Sequence, residues 1–308
     1  MIISEIKKNL RGILLENESM AKHTSYGIGG EVKAYITPYD VKDLIKIIRI
    51  INKNNLKFYF VGSGSNLLVN DKKINGIIIT PAKALKSLTI KKSTVNAESG
   101  VMLGRLVKES IKHNLTGLES LVGVPGTLGG ALMMNAGAWG SEISNFLVSV
   151  NVINTDGKIK TLYPEDLEFK YRYSSFNSNE FILSAKFELS KATKAEIKKK
   201  KVIASKGRIS SQPLKFRSAG SVFKNPHDKL AAGFLIDEVG LKGTRIGGAE
   251  ISTHHANFFI NHGNAKAIDI TGLIRLSRKK IYEKFGIMLE LEIKTIGFES
   301  SDLYPYES

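Results

Sequence analysis

The stretch GVPGTLGGALMMNAGAWG, residues 123–140, has glycine at six of its eighteen positions. At that density the main chain, freed of side chains, can pass close to something large. A phosphate is the first candidate, because bare N–H groups in a glycine-rich loop can point together at an anion. The two best-known phosphate loops are absent: there is no G-x-G-x-x-G, and no G-K-[ST] follows a glycine. The stretch is therefore shaped around another ligand.

A second loop of the same character lies upstream. VGSGSNLLVND, residues 61–71, follows the predicted strand KFYFVG at 57–62. Its small residues let successive N–H groups converge, while Ser63, Ser65 and Asn66 add side-chain donors. Alone, GSGSN reads as a plain turn. Two such loops in one domain, with no Rossmann or P-loop motif, point to a dinucleotide bound in an unusual way.

Regular elements are legible around both loops. DVKDLIKIIRIINKNN (40–55) has helical apolar spacing, GIIIT (76–80) and SLTIKK (87–92) read as strands, and MLGRLVKESIKHN (102–114) reads as a helix. Downstream, Asp156-Gly157 is a hairpin turn, FILSAKFEL (181–189) a strand, and the lysine-rich segment near 193–208 a helix bridging two domains. The last hundred residues repeat the mixed pattern. AAGFLIDEVG (231–240) is a helix ended by Gly240, RIGGAEIS and ANFFIN are strands, AKAIDITGLIRLSRKKIYEKFG is a helix stopped at Gly286, and MLELEIKTIG is a final strand. Strands interleaved with helices in both halves argue for α/β or α+β layers. No internal repeat is present, so a solenoid is not expected.

Composition narrows the function. At 308 residues, 42% hydrophobic and 24% charged, the chain is globular and long enough for two domains. No run of eighteen apolar residues exists, so no membrane span is expected. MIISEIKKNLRGILLENES reads as an amphipathic helix rather than a signal peptide, and the protein as cytoplasmic. Cysteine is absent, which removes disulfides, thiolate nucleophiles and cysteine-ligated metals. His254 and His255 are adjacent rather than four apart on a helix, so no metal site is expected. The net charge of +16 admits three readings: nucleic-acid binding, a lysine-rich surface, or small polyanionic substrates gathered by a positive field. Charge alone does not choose among them. The run Lys198–Lys201 continues a helix with no aromatic residues interleaved for base stacking, so no nucleic-acid partner is expected.

Further segments complete a constellation: HTSYGIGG (23–30), YRYSSF (171–176), AGSVFKNP (219–226), GGAEISTHHANFFIN and FGIMLELEIKTIG. Together with the two glycine loops, and in this order over about residues 20–297, they resemble the UDP-N-acetylenolpyruvoylglucosamine reductase (MurB) family. The resemblance implies an α+β protein. A two-part FAD-binding domain of the vanillyl-alcohol-oxidase (PCMH) type would be followed by a smaller α/β substrate-binding domain. The expected division is 1–19 an N-terminal helix, 20–190 the FAD-binding domain, 191–208 a linking helix, 209–298 the substrate-binding domain and 299–308 a tail.

The family reaction is NADPH-dependent reduction of the enolpyruvyl ether of UDP-N-acetylglucosamine to UDP-N-acetylmuramate, for peptidoglycan. FAD is non-covalent and NADPH is a co-substrate. The absence of a dinucleotide fingerprint agrees with this, since a nicotinamide that only visits the substrate site needs no domain of its own. The residues carried over as FAD contacts are Gly62, Ser63, Gly64, Ser65, Asn66, Gly126, Thr127, Gly129, Gly130, Asn135 and Gly137. Hydride delivery to the alkene leaves negative charge on the substrate carboxylate, which a planar guanidinium suits. Arg172 in YRYSSF matches that arginine, Glu292 in the final strand the partner acid, and Ser221 in GSVFKNP the proton donor. Lys224 and Asn225 resemble residues that reach the substrate diphosphate. Arg217 stands where a proline or small residue is expected in many relatives. The short interval between YRYSSF and GSVFKNP resembles the branch without an extra substrate-covering loop. Partners are expected to be small molecules only, with a monomer favoured. The alternative is another FAD-dependent oxidoreductase of the same fold, which would leave GSVFKNP and the final acidic strand unexplained.

Overall fold

The computed structural model describes residues 2–177 and 179–304. It divides into two compact units: Met1–Asn17, Ala34–Ser63 and Asn75–Arg208 form one, and Glu18–Lys33, Gly64–Ile74 and Ile209–Ser308 the other.

In the first unit, helix α1 (Ile2–Asn9) and helix α2 (Val41–Lys53) pack with a four-stranded sheet. Its strand order is Ile13–Ser19, Glu31–Thr37, Ile74–Ile79, Phe58–Phe60, the last two parallel. Asp40 caps α2 by accepting from the Asp43 N–H at 2.8 Å, and Leu44, Ile47, Ile48 and Ile51 recur at helical spacing to bury one stripe. The N-terminal segment departs from the continuous helix expected over 1–19. Helix α1 ends at Asn9, and Ile13–Ser19 is a strand. The cause lies thirty residues downstream, where the buried Asp43 carboxylate accepts from the N–H groups of Arg11 and Gly12, each at 3.0 Å, and of Tyr39 at 2.8 Å. Turning the chain there satisfies a buried charge, and local apolar periodicity yields to it.

The same unit holds a five-stranded antiparallel sheet, ordered Ile159–Leu162, Leu147–Asn154, Glu180–Glu188, Thr94–Glu98, Leu88–Lys91. Asp156-Gly157 turns its outer hairpin, with Gly157 at φ +76°. Helices α3 (Leu103–Lys112) and α4 (Leu128–Met133) bury Leu103, Leu106, Val107, Leu128 and Leu132 in the cluster that this sheet shares. Helix α5 (Lys194–Ser211) is the lysine-rich segment.

The second unit contains helices α6 (Ala232–Glu238), α7 (Ala267–Phe285) and the short α8 (Ser300–Leu303). Helix α7 stops where the sequence indicates, with Gly286 at φ +68° as a left-handed cap. A three-stranded antiparallel sheet runs Arg245–Ile246, Ala249–Ile251, Phe259–Asn261. The expected final strand is shorter than MLELEIKTIG: Lys294–Ile296 pairs in parallel with Leu67–Val69, while Leu291 bridges Phe223. Two different partners along one segment prevent it from being one strand.

This division differs from the expected boundary near 190–209, because segments 18–33 and 64–74 cluster with the C-terminal residues. Their bonds explain it: Asn261 Nδ2 donates to the Tyr26 carbonyl at 2.8 Å, and the Ala267 N–H to Asp71 Oδ2 at 2.6 Å. The expected tail contains α8, fixed by Arg275 and Arg278 donating to the carbonyls of Asp302 and Leu303. Residues 305–308 of that tail lie outside the described residues.

Candidate active site

In the first unit the two glycine loops meet. Gly62 lies against Thr127, leaving no room for a methyl group beside the threonine Oγ1, and the Gly62 carbonyl accepts from the buried Thr80 hydroxyl at 3.1 Å. Thr127 caps α4, accepting from the Gly130 N–H at 3.4 Å. Gly129 packs on Ser99, whose Cβ would stand 3.1 Å from an added methyl, and its N–H donates to the Ser99 carbonyl at 3.0 Å. Gly126, at φ +130°, brings the chain into the cap. Gly62, Gly126, Thr127, Gly129 and Gly130 are thus brought together, with Ser63 next in the chain.

The polar atoms here test the fit of a flavin dinucleotide. The hydroxyls of Ser63, Ser99 and Ser120 and Asn135 Oδ1 are buried with no hydrogen-bond partner among the described residues. Each such group costs about 1–3 kcal/mol unless something satisfies it. Hydroxyls and an amide oxygen flanking side-chain-free backbone suit a ligand rich in both donors and acceptors, and FAD fits.

Arg172 sits at the tip of the hairpin in which Phe169–Lys170 pairs with Tyr173–Ser174. Its φ of +54° is a left-handed conformation that costs an ordinary residue about 1–2 kcal/mol. Such strain persists only where the surroundings hold the residue in place. Its Nη1 donates to the Gly137 carbonyl at 3.2 Å, and its guanidinium stacks on Tyr171 at 4.9 Å from the ring centroid. Arg208 of α5 lies within electrostatic reach; burial first, and then the charge of Arg172, hold its pKa below the usual arginine range.

In the second unit, Ser221 follows Gly220, whose φ is +81°. The buried Asn257 fixes the residues beyond Ser221: its carbonyl oxygens accept from the Val222 N–H (main chain, 2.8 Å) and the Phe223 N–H (side chain, 2.9 Å), and its Nδ2 donates to the Phe223 carbonyl at 2.8 Å. The segment with Glu292 runs alongside, as the Glu292 N–H donates to the Val222 carbonyl at 2.8 Å and the Lys224 N–H to the Glu290 carbonyl at 2.9 Å. Val222 to Lys224 and Glu290 to Glu292 therefore form one short ladder, while Ser221, one residue before it, bridges Phe258. Lys224 Nζ pairs with Glu290 at 3.2 Å. Burial, and then the charge of Lys224, lower the pKa of Lys294.

Three sequence-predicted ligands have structural duties here. Asn225 Oδ1 accepts from the Ala232 N–H at 3.1 Å, at the start of α6. Gly64 turns at φ +68° against the His23 carbonyl, and Ser65 follows it. Asn66 Nδ2 donates to the Glu292 carbonyl at 3.1 Å and its own carbonyl accepts from the Lys294 N–H at 2.9 Å. Asn66, read as a flavin contact, anchors the segment bearing the acid. His255 Nδ1 accepts from the Asn257 N–H at 3.2 Å, and burial is the main cause that lowers its pKa.

Sequence reasoning passed over Ser99, Glu142, Asn257 and Arg208. A glycine alone inside α5 is the one signal that could have found Arg208: an added methyl at Gly207 would overlap the Trp139 ring.

An α+β fold with two glycine loops beside buried unpartnered polar atoms, and a separate ladder carrying Glu292 next to Ser221, is that of an FAD-binding oxidoreductase. Residues 32–163 match the FAD binding domain model, and residues 212–296 match the model of the C-terminal domain of UDP-N-acetylenolpyruvoylglucosamine reductase. The chain is 40% identical to the UDP-N-acetylenolpyruvoylglucosamine reductase of Carboxydothermus hydrogenoformans over 294 residues, covering 95% of this chain and 97% of that one. It is 40% identical to the Syntrophomonas wolfei protein of the same name, over 92% of this chain and 95% of that one. The crystal structure of UDP-N-acetylenolpyruvylglucosamine reductase (MurB) from Thermus caldophilus superposes with a TM-score of 0.78 at 32% identity, covering 93% of this chain and 99% of that one. The chain belongs to the UDP-N-acetylenolpyruvoylglucosamine reductase family.

Proposed function

We propose that this protein reduces the enolpyruvyl ether of UDP-N-acetylglucosamine to the lactyl ether of UDP-N-acetylmuramate, with NADPH as electron source, in the making of peptidoglycan precursors. The match of residues 212–296 to the C-terminal domain of this reductase, beside an FAD binding domain match over 32–163, supports the reading over any other flavin oxidoreductase of the fold.

FAD would be held by Gly62, Ser63, Gly64, Ser65, Gly126, Thr127, Gly129, Gly130, Asn135 and Gly137, and when bound it supplies the two-electron relay between NADPH and the alkene. No covalent tether is invoked: the chain has no cysteine, and His23 Nε2 is paired with Glu18 Oε1 at 3.0 Å. Arg172 receives the substrate carboxylate and stabilises the negative charge that grows on it, through a rigid fork that needs no reorganisation. Glu292 acts with it in managing the transient anion. Ser221 gives its hydroxyl proton to the carbon alpha to the carboxylate. A free serine is a weak acid, but the acceptor is a strongly basic carbanion-like carbon. Lys224 and Asn225 hold the diphosphate, with the lysine as a point charge and the amide NH2 as a donor. The substrates are small molecules in the cytoplasm, and the working unit is a monomer.

Anaerobic spectroscopy of purified protein tests this. The yellow flavin spectrum should bleach on adding NADPH and return on adding the enolpyruvyl substrate. Protein that takes up no flavin, or whose reduced flavin ignores that substrate, refutes the proposal.

A further inference from the structure

Arg172 holds a strained position at a hairpin tip, so something must keep it there. The segment 133–142 touches its hairpin at three places. Ser174 Oγ donates to the Met133 carbonyl at 2.8 Å, Arg172 Nη1 to the Gly137 carbonyl at 3.2 Å, and Asn135 Nδ2 to the Lys170 carbonyl at 3.2 Å. Asn135 is wholly buried and itself left-handed, at φ +42°. Its Nδ2 also donates to Glu142 Oε2 at 2.6 Å, a short charge-assisted bond that fixes which way the amide faces.

Glu142 reaches that point because the chain doubles back. Gly137–Ala138 pairs with Ser141–Glu142, setting Glu142 opposite Gly137, and the turn between them places Trp139 at φ +55° and Gly140 at φ +78°. Two successive positive φ values make the tight type I′ hairpin. A methyl on Gly137 would stand 2.8 Å from Glu142 Cγ, so this glycine admits the carboxylate stem. The Glu142 N–H donates to Asn145 Oδ1 at 2.7 Å, which pins its backbone.

We propose that Glu142 is a positioning residue for Arg172: it orients the Asn135 amide so that this amide holds the Lys170 carbonyl, and with it the foot of the hairpin that presents the guanidinium. The inference rests on the reading of Arg172 as the group that receives the substrate carboxylate. In this reading Glu142 acts through Asn135, to which its carboxylate is bonded.

The holoenzyme with Glu142→Ala, Glu142→Asp and Glu142→Gln tests this. Glutamine keeps an oxygen that can accept from Asn135, alanine has none, and aspartate keeps the charge on an arm one methylene shorter. Alanine and aspartate should slow substrate-driven reoxidation about ten- to a hundredfold, the range for a misplaced group, while NADPH-driven reduction stays within about twofold of the parent. Glutamine should restore most of the lost rate. In an Arg172→Lys background, Glu142→Ala should add little, since a misplaced fork has already been removed. Amide hydrogen exchange supplies a readout independent of turnover: residues 169–174 should exchange faster in alanine and aspartate than in glutamine or the parent. Equal losses in both half-reactions, full additivity with Arg172→Lys, or unchanged exchange at 169–174 overturn the proposal. If the parent protein itself fails to reoxidise with substrate, the functional reading falls, and the exchange result still decides whether the clasp exists.

Discussion

Gly62→Ala probes the contact on which the flavin-loop reading rests. Gly62 has an ordinary φ, so the change carries no left-handed backbone penalty, and its cost arises only from what the new methyl meets. The methyl overlaps Thr127 Oγ1, with Thr127 Cβ and Cγ2 a further step away at 3.5 Å. The main chain cannot retreat easily, because the Gly62 carbonyl is held by the Thr80 hydroxyl at 3.1 Å and Thr80 is fully buried. Inserting one carbon into such a site costs about 1–3 kcal/mol. Displacing Thr127 also forfeits its cap on α4, a bond 3.4 Å long and so at the weak end, about 0.5 kcal/mol. The sum is about 2 kcal/mol, read as a lower urea midpoint at unchanged m. Thr127→Ala alone should cost about 0.5–1 kcal/mol. In the double variant the methyl finds space, so the loss should fall short of the sum of the singles by about 1 kcal/mol or more. Flavin titration of the same four proteins should rank them in the same order, weakest in the Gly62→Ala single variant. Strict additivity in the unfolding series would refute the argument, since the loops would then not meet at these two residues.

Two further outcomes follow from the second unit. Ser221→Ala should leave flavin reduction by NADPH nearly intact and slow reoxidation by the enolpyruvyl substrate by about 10²–10⁴-fold, the weight of a proton donor, in single-turnover stopped flow; equal loss in both halves would make Ser221 a support of the flavin instead. His255 has a folded-state pKa below its unfolded value, so protonation favours the unfolded chain, and the parent should lose stability as pH falls through about 6.5. His255→Asn keeps an acceptor for the Asn257 N–H but cannot titrate, so its melting temperature should fall less between pH 7 and pH 5; parallel curves would remove burial of a neutral imidazole as the cause.

Much of the architecture was legible because it is encoded locally. Helix α2 shows its cap and its stripe within thirteen residues, and α7 ends on a glycine that the chain needs at positive φ. The glycine loops announced themselves by composition. What stayed hidden depends on partners distant in sequence. The break after Asn9 is dictated by the Asp43 carboxylate, 31 residues from Gly12, and the place of 64–74 by pairing with a strand at 294–296. Of the site, the motif residues could be named, but not the duties of Asn66 and Asn225, since an amide in a loop gives no sign of which backbone group it will hold. Glu142 was missed for the same reason: its role exists only through Asn135 and the hairpin that returns it there.

Asn66 couples two features that the sequence presents as separate. It closes the GSGSN loop, whose Gly62 lies against Thr127, yet both its hydrogen bonds go to the segment of the acid: Nδ2 donates to the Glu292 carbonyl and its own carbonyl accepts from the Lys294 N–H. The parallel pairing of Leu67–Val69 with Lys294–Ile296 begins one residue further on, so Asn66 sets where that pairing starts. Glu292 is also joined to the serine-bearing segment through the Val222 carbonyl. The acid is thereby fixed from two sides, by the serine segment and by the loop read from sequence as a cofactor cradle. The two bonds, at 2.9 and 3.1 Å, fall on main-chain groups either side of Ile293, so they fix the path of the backbone that carries Glu292. In the proposed reaction the loop thus serves the acid rather than the flavin, by fixing the root from which Glu292 projects.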